Sequence, residues 1–244
     1  IVGGGSAGCI LAARLSEDSD VSVVLLEAGP PDTDRYIHLP VGFFKMTSGP
    51  LIWGYDTAPG KAIDGRTMVY PQARVLGGGS SINAQVFTRG CPQDYDGWAG
   101  HDGCTGWSYA DVLRYFVRSE GNDTFADAQH GIDGPLGVST GAPHPLTRIF
   151  VKAAQQAGLP FRADFNAGEQ AGAGFYQTTT RRGKRSSTAV AYLKPALGRK
   201  NLTLRTNATV SRILVENGRA IGVEIIANRR TEVLRAEREV IVTA

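Results

Sequence analysis

No stretch of the 244-residue chain holds eighteen consecutive apolar residues, so no membrane-spanning helix is expected. Net charge is small, +3, and no basic stripe alternates with aromatics, so nucleic acid is not an expected partner. Cysteine is scarce, with three residues at Cys9, Cys91 and Cys104. Cys91 and Cys104 are too widely separated for a CxxC site, and with no His pair beside them no zinc or other metal site is expected. Free thiols in a reducing compartment, the cytoplasm, are the plain reading. There is no internal repeat and no low-complexity tract. The start at Ile1 has neither a charged leader region nor a cleavage site, so it does not read as a signal peptide. Apolar residues at 42% and charged residues at 20% are ordinary for a folded domain, and the length suffices for one large domain or two small ones.

Glycine is plentiful, at 31 residues, and it clusters. The first cluster is GGGSAG, Gly3 to Gly8, in which Gly3, Gly5 and Gly8 occupy the G-x-G-x-x-G positions. Ser6 to Ser16 reads as a helix with apolar residues at Ile10, Leu11, Ala13 and Leu15, and Val21 to Glu27 as a buried parallel strand. With Ile1 and Val2 these make a βαβ unit. Glu27 stands 19 positions after Gly8, where an acid holds ribose hydroxyls and disfavours a 2′-phosphate. A pyrophosphate at the helix N-terminus follows from the free N–H groups there. The second cluster is ARVLGGGSSIN, Ala73 to Asn83, in which three glycines and two serines leave the backbone nearly bare, so it approaches a flat, charged ligand closely.

Elsewhere, Trp53 to Thr57 is expected to pair with Thr67 to Tyr70 across a glycine turn. Asp94 to Ala99 and Ala110 to Ser119 read as surface helices. Ser108 caps the second, although Asp111 stands where a capping box wants Glu or Gln. Thr147 to Ala157 reads as an amphipathic helix with Ile149, Phe150, Ala153, Ala154 and Ala157 on one side. The basic run Arg181 to Ser187 reads equally as a solvated turn or as a device that positions a loop or an anion. Ala189 to Leu197 reads as a short helix broken by Pro195. Leu202 to Thr206 is a strand, and Val210 to Glu216, Ala220 to Ala227 and Thr231 to Ala236 form an antiparallel meander through Asn217-Gly218 and Asn228-Arg229. Only two residues precede the first glycine turn, and the chain stops at the apolar strand EVIVTA. It therefore reads as a fragment whose remainder is a necessary partner.

The motif order resembles the glucose–methanol–choline family of flavin oxidoreductases. The second glycine block matches that family's first signature from Ala73 through Phe87 and Gly90 to Asp96. WGYDT, GWSY, His130-Gly131 and NLTLRTNATVSRI extend the likeness over the whole chain. Within the family, IHLPVGFFKMTSGP, SINAQVFTRG and YLKPALGRKNLT are similar in wording to sorbose dehydrogenase and polyethylene glycol dehydrogenase-like members.

The resemblance implies an α/β fold: an FAD-binding Rossmann-like βαβ sheet, an antiparallel β-meander, and part of an α+β substrate domain. The domains expected are residues 1–130 (first FAD-binding part), 131–195 (substrate domain) and 196–244 (return to the FAD-binding domain). Bound FAD is implied, with Gly3, Gly5, Ser6, Ala7 and Gly8 at the pyrophosphate and Glu27 and Ala28 at the adenosine ribose. Arg74, Val75, Gly78, Gly79, Asn83, Ala84, Gln85 and Val86 would run along the flavin and its phosphates, and Val210 would meet the adenine through its backbone. Ile82 stands where some members carry the histidine that bonds FAD covalently, so a non-covalent flavin is expected.

The family's second signature and its catalytic His, with a His or Asn partner, lie beyond Ala244. His38, His101, His130 and His144 match neither and read as loop or packing residues, so no catalytic residue is assigned in this chain. The implied activity is oxidation of a primary alcohol, polyol or sugar, with hydride transfer to the flavin and electrons passed to a quinone at the membrane or a dye. Residues 175–180 would line part of the substrate pocket. An oxygen-using oxidase, an NAD(P)H-dependent flavin reductase and a non-catalytic FAD-binding module are the alternatives.

Overall fold

The computed structural model describes residues 1–101 and 103–244, which divide into two units: residues 1–84 with 183–244, and residues 85–182. The domains expected from sequence are bounded after residues 130 and 195. The second unit is a single insertion, after which the chain rejoins the first at Gly183.

In the first unit, α1 (Ser6–Leu15) joins the strand at Val2 to β1 (Val23–Leu26). β1 lies parallel to β2 (Leu202–Arg205), from Val23 opposite Leu202 to Leu26 opposite Arg205. Val2 bridges in parallel to both Leu26 and Val242, which completes the expected βαβ unit and places EVIVTA beside the first strand. α1 packs through small residues, Gly8, Cys9, Ala12 and Ala13, rather than through Ile10, Leu11 and Leu15. Small side chains let helix and sheet backbones approach, and the longer ones flank the contact.

The meander comprises β3 (Ala208–Glu216), β4 (Arg219–Ala227) and β5 (Arg230–Arg235), all antiparallel. Asn217 and Gly218 have φ of 51° and 77°, and Asn228 and Arg229 have 51° and 62°, the paired positive values of tight hairpins. Leu26, Ala208, Val223, Ile225 and Ala227 form its core. Tyr55–Asp56 and Val69–Tyr70 pair antiparallel as expected. Pro195 does not break its helix. A π-helical turn, Ala189–Leu193, runs directly into an α-turn, Lys194–Ala196, and Pro195 sits within that continuous helical stretch.

The second unit carries helices Pro92–Gly100, Tyr109–Ser119 and Pro145–Gln156. Ser108 caps Tyr109–Ser119, and the Asp111 carboxylate accepts from the Ser108 N–H at 3.2 Å, closing the box that Glu or Gln usually closes. Pro145–Gln156 buries Val151, whereas Ile149 and Phe150 of its expected apolar side are exposed. Val86–Phe87 pairs antiparallel with Gln177–Thr178, and Glu120–Asn122 parallel with Leu136–Val138. Among the described residues no helix is long and apolar enough to cross a membrane.

Candidate functional site

The first unit holds a cleft of about 320 Å³ where the C-terminal end of β1, the start of α1, the second glycine cluster and the start of β3 meet. Of the residues expected at a ligand, Gly3, Gly5, Ser6, Glu27, Ala28, Gly78, Gly79 and Val210 line it. A cleft outside the carboxyl ends of parallel strands is where open α/β sheets bind ligands.

The glycines divide into two jobs. A Cβ on Gly8 would lie 1.9 Å from Gly3 O, so Gly8 lets α1 sit against the strand before it. Gly78 has φ +54°, and a Cβ there would lie 2.7 Å from Gly5 Cα, so the two clusters touch backbone to backbone. Gly77 N donates to Gly4 O at 2.7 Å and joins them. By contrast, a Cβ on Gly5 or Gly79 would meet no atom within 4 Å. Both glycines line the cleft and leave it open there. Ser6 and Ala7, in the first turn of α1, are exposed beside it, and Gly5 caps the helix with no side-chain hydrogen bond. The first-turn N–H groups therefore offer an anion their charge and donors.

Glu27 is buried, and its carboxylate accepts from Gly4 N at 2.9 Å and from Gly29 N at 2.7 Å. These bonds fix it at the tip of β1, and an ionised carboxylate has further lone pairs for hydroxyl donors. A Cβ on Gly29 would lie 2.1 Å from Arg74 O, which brings the second cluster down onto the β1 tip.

The remaining expected residues are placed as follows. Ala7 and Gly8, in the first turn of α1, are not among the residues lining the cleft. Arg74 lays its guanidinium 5.0 Å from the centroid of the Trp53 ring. Its buried Nε has no hydrogen-bond partner among the described residues. Val75 is 0% exposed, in a core cluster with Ile37, Met46 and Leu51, and does not line the cleft. Ile82 packs against that same cluster. Asn83 and Ala84 are exposed at the end of the first unit's second glycine cluster. Gln85 and Val86 belong to the second unit, where Val86 opens the strand paired with Thr178.

The two serines close the turn instead of lining the cleft. Ser80 Oγ donates to Gly77 O at 2.6 Å, and Ser81 Oγ to Leu76 O at 2.7 Å. Sequence reasoning missed Trp53, Gln72, Ala73, Thr209 and Thr243, which also line the cleft. Trp53 had one signal, an aromatic at the start of the segment expected to pair with Thr67 to Tyr70. Gln72 and Thr243 had none.

The buried thiol and the histidines are placed as follows. Cys9 is fully buried, and burial pushes its thiol up to about 12. His38 bonds Asp32 O through Nε2 at 2.7 Å, and His144 caps Pro145–Gln156. His130, in the second unit, is buried with Nδ1 2.8 Å from Glu120 and Nε2 2.8 Å from Asp164, and Arg89 pairs with the same Glu120. Burial opposes charge on His130, but the two carboxylates outweigh it and raise its pKa.

The GMC oxidoreductase family model matches residues 1–244. The chain belongs to that family, as its N-terminal part. It is 46% identical over 246 residues to an oxygen-dependent choline dehydrogenase of Sinorhizobium fredii, covering all of this chain and 44% of that protein. It is 43% identical over 252 residues to the mitochondrial choline dehydrogenase of Homo sapiens, covering 42% of that protein. A crystal structure of pyridoxine 4-oxidase from Mesorbium loti superposes with a TM-score of 0.92 at 35% identity, over 97% of this chain and 47% of that one. The chain thus spans less than half the length of these relatives. The expected likeness to sorbose and polyethylene glycol dehydrogenases finds no support here, since these curated relatives are named choline dehydrogenases.

Proposed function

We propose that this chain is the cofactor-binding part of an FAD-dependent oxidoreductase that oxidises the CH–OH group of a small alcohol. One observation carries the reading: the two glycine clusters form one bed, in which Gly5 and Gly79 face open space beside Glu27 and Val210. A dinucleotide fits that bed. First-turn N–H groups at Ser6 to Gly8 would bind the pyrophosphate, and Glu27, with Ala28 beside it, would accept from the ribose hydroxyls. The β3 backbone at Val210 would meet the adenine. The segment from Arg74 through Asn83 and Ala84, with Gln85 and Val86 carried by the family pattern, would hold the flavin end. FAD bound there would supply a two-electron acceptor for the alcohol C–H bond. The chain's own contribution is binding and orientation, while the general base that takes the hydroxyl proton lies outside it.

Two readings lose ground on specific observations. A nicotinamide-dependent reductase needs a second nucleotide site, yet Gly77 is bonded to Gly4, so the second cluster belongs to the first site. Covalent flavin attachment at residue 82 has no nucleophile, because Ile82 packs into the core. A choline-like amino alcohol leads among substrates, on the names of the relatives, and oxygen or a quinone is the acceptor.

Anaerobic titration of the intact protein with choline, other primary alcohols and NADH, watched as bleaching of the flavin band, tests the reading. Bleaching by an alcohol is expected. Bleaching by NADH alone, or no flavin at all, overturns it.

A further inference from the structure

The basic run Arg181 to Ser187 does not act as a unit. Arg181 Nη2 donates to Gly134 O at 2.9 Å within the second unit, and Arg182 and Lys184 are exposed. Arg185 is 2% exposed, the largest fully buried side chain described. Its Nε donates to Ile37 O at 2.7 Å, and its Nη1 donates to Ser80 O at 3.1 Å and to Asn83 Oδ1 at 2.7 Å. All three acceptors are neutral, and Nη2 is buried with no hydrogen-bond partner among the described residues. Arg185 also takes part in none of the ion pairs among those residues.

A buried cation without a counter-charge is costly, and burial pulls this guanidinium down to about 10. The cost is borne at the back of the turn that closes the second glycine cluster. Guanidinium only donates, so the Asn83 amide must turn its oxygen toward Arg185, which puts its NH2 on the other branch. A lysine has no fork to reach Ile37, Ser80 and Asn83 together.

We propose that Arg185 is a positioning residue for the flavin end of the site: it fixes the Ser80–Asn83 turn and the Asn83 amide, and its uncompensated charge favours the reduced, anionic flavin over the oxidised, neutral one. The proposal rests on the FAD reading above. It deepens that reading by naming which redox state of the cofactor the apoprotein is built to hold.

The test uses the intact protein, stripped of flavin and reloaded, with Asn83→Asp, Arg185→Met and Arg185→Lys. Affinity for oxidised FAD, the two-electron potential of the bound flavin and the melting temperature of the cofactor-free protein are measured. Asn83→Asp supplies the missing carboxylate. The cofactor-free protein is then expected to melt no lower than the parent, while reduced FAD loses about tenfold more affinity than oxidised FAD, a fall of about 30 mV in potential. Arg185→Met should lower the potential in the same direction. Arg185→Lys should keep more of the potential than Arg185→Met but bind FAD less tightly than the parent. If Arg185→Met does not fold, Asn83→Asp carries the test alone. Unchanged potentials, even with weakened FAD binding, make Arg185 merely structural and overturn the proposal. An unaltered protein that binds no FAD overturns the flavin reading and this proposal with it.

Discussion

Gly77 N–H donates to Gly4 O at 2.7 Å, across 73 positions of sequence, and so joins two glycine clusters at one cleft. Beside that bond, Gly5 and Gly78 differ in what their missing side chains leave room for. Gly5→Ala meets no protein atom within 4 Å, whereas Gly78→Ala places Cβ 2.7 Å from Gly5 Cα at a positive φ. Gly5→Ala should therefore leave the melting temperature of the cofactor-free protein unchanged but weaken FAD about tenfold or more, because the methyl occupies the pyrophosphate's approach. Gly78→Ala should lower both. Calorimetry and flavin fluorescence titration separate the two outcomes, and equal behaviour of the two variants contradicts the assignment.

Glu27 accepts two backbone N–H groups at once, from Gly4 and Gly29. Glu27→Gln turns one acceptor into a donor that faces an N–H, so one buried amide loses its partner. A loss of about 1–3 kcal/mol in denaturant unfolding is expected, together with weaker binding of FAD. A variant with parental stability would show that the carboxylate does not hold the β1 tip.

The flavin should leave the protein on acid precipitation, since Ile82 offers no nucleophile and packs with Ile37, Met46, Leu51 and Val75. Yellow colour in the supernatant is the expected result. Colour retained in the washed pellet would show a covalent link elsewhere.

His130 gives the second unit a pH-dependent contribution. Its pKa is raised in the folded state by Glu120 and Asp164, against burial. The native state therefore binds more protons than the unfolded one above the ordinary His pKa of about 6.5. The contribution is full below that value and is lost as pH rises through the raised folded one. Melting temperature should fall across that window, and His130→Leu should remove the slope. That variant also leaves Glu120 and Asp164 without their shared donor, at a cost of about 3–5 kcal/mol in unfolding. A flat profile for the parent protein would show that His130 stays neutral.

Much of the fold was legible because it is written locally. The period of α1, the apolar run of β1 and the Asn-Gly turn of the meander each depend on neighbours a few residues away. The resemblance carried by Ala73 to Asp96 points to the family from residues contiguous in sequence. Legibility failed where burial is set by distant chain. Ile149 and Phe150 have helical spacing, but spacing cannot say whether another element covers them. Pro195 looks like a breaker until the preceding π-turn shows where the α-turn begins.

The sequence by itself determined that Gly3, Gly5, Gly8 and Gly77 to Gly79 leave the backbone bare, because the side chains are absent. Only the tertiary structure decided which bareness is taken up by packing and which opens on the cleft: Gly8 and Gly78 abut backbone, while Gly5 and Gly79 face open space. It likewise singled out Arg185 from a run of four similar cations, by enclosing that one among neutral oxygens contributed by Ile37, Ser80 and Asn83. Residues more than a hundred positions apart meet only through the fold, and the cost of burying a charge depends on what it meets there.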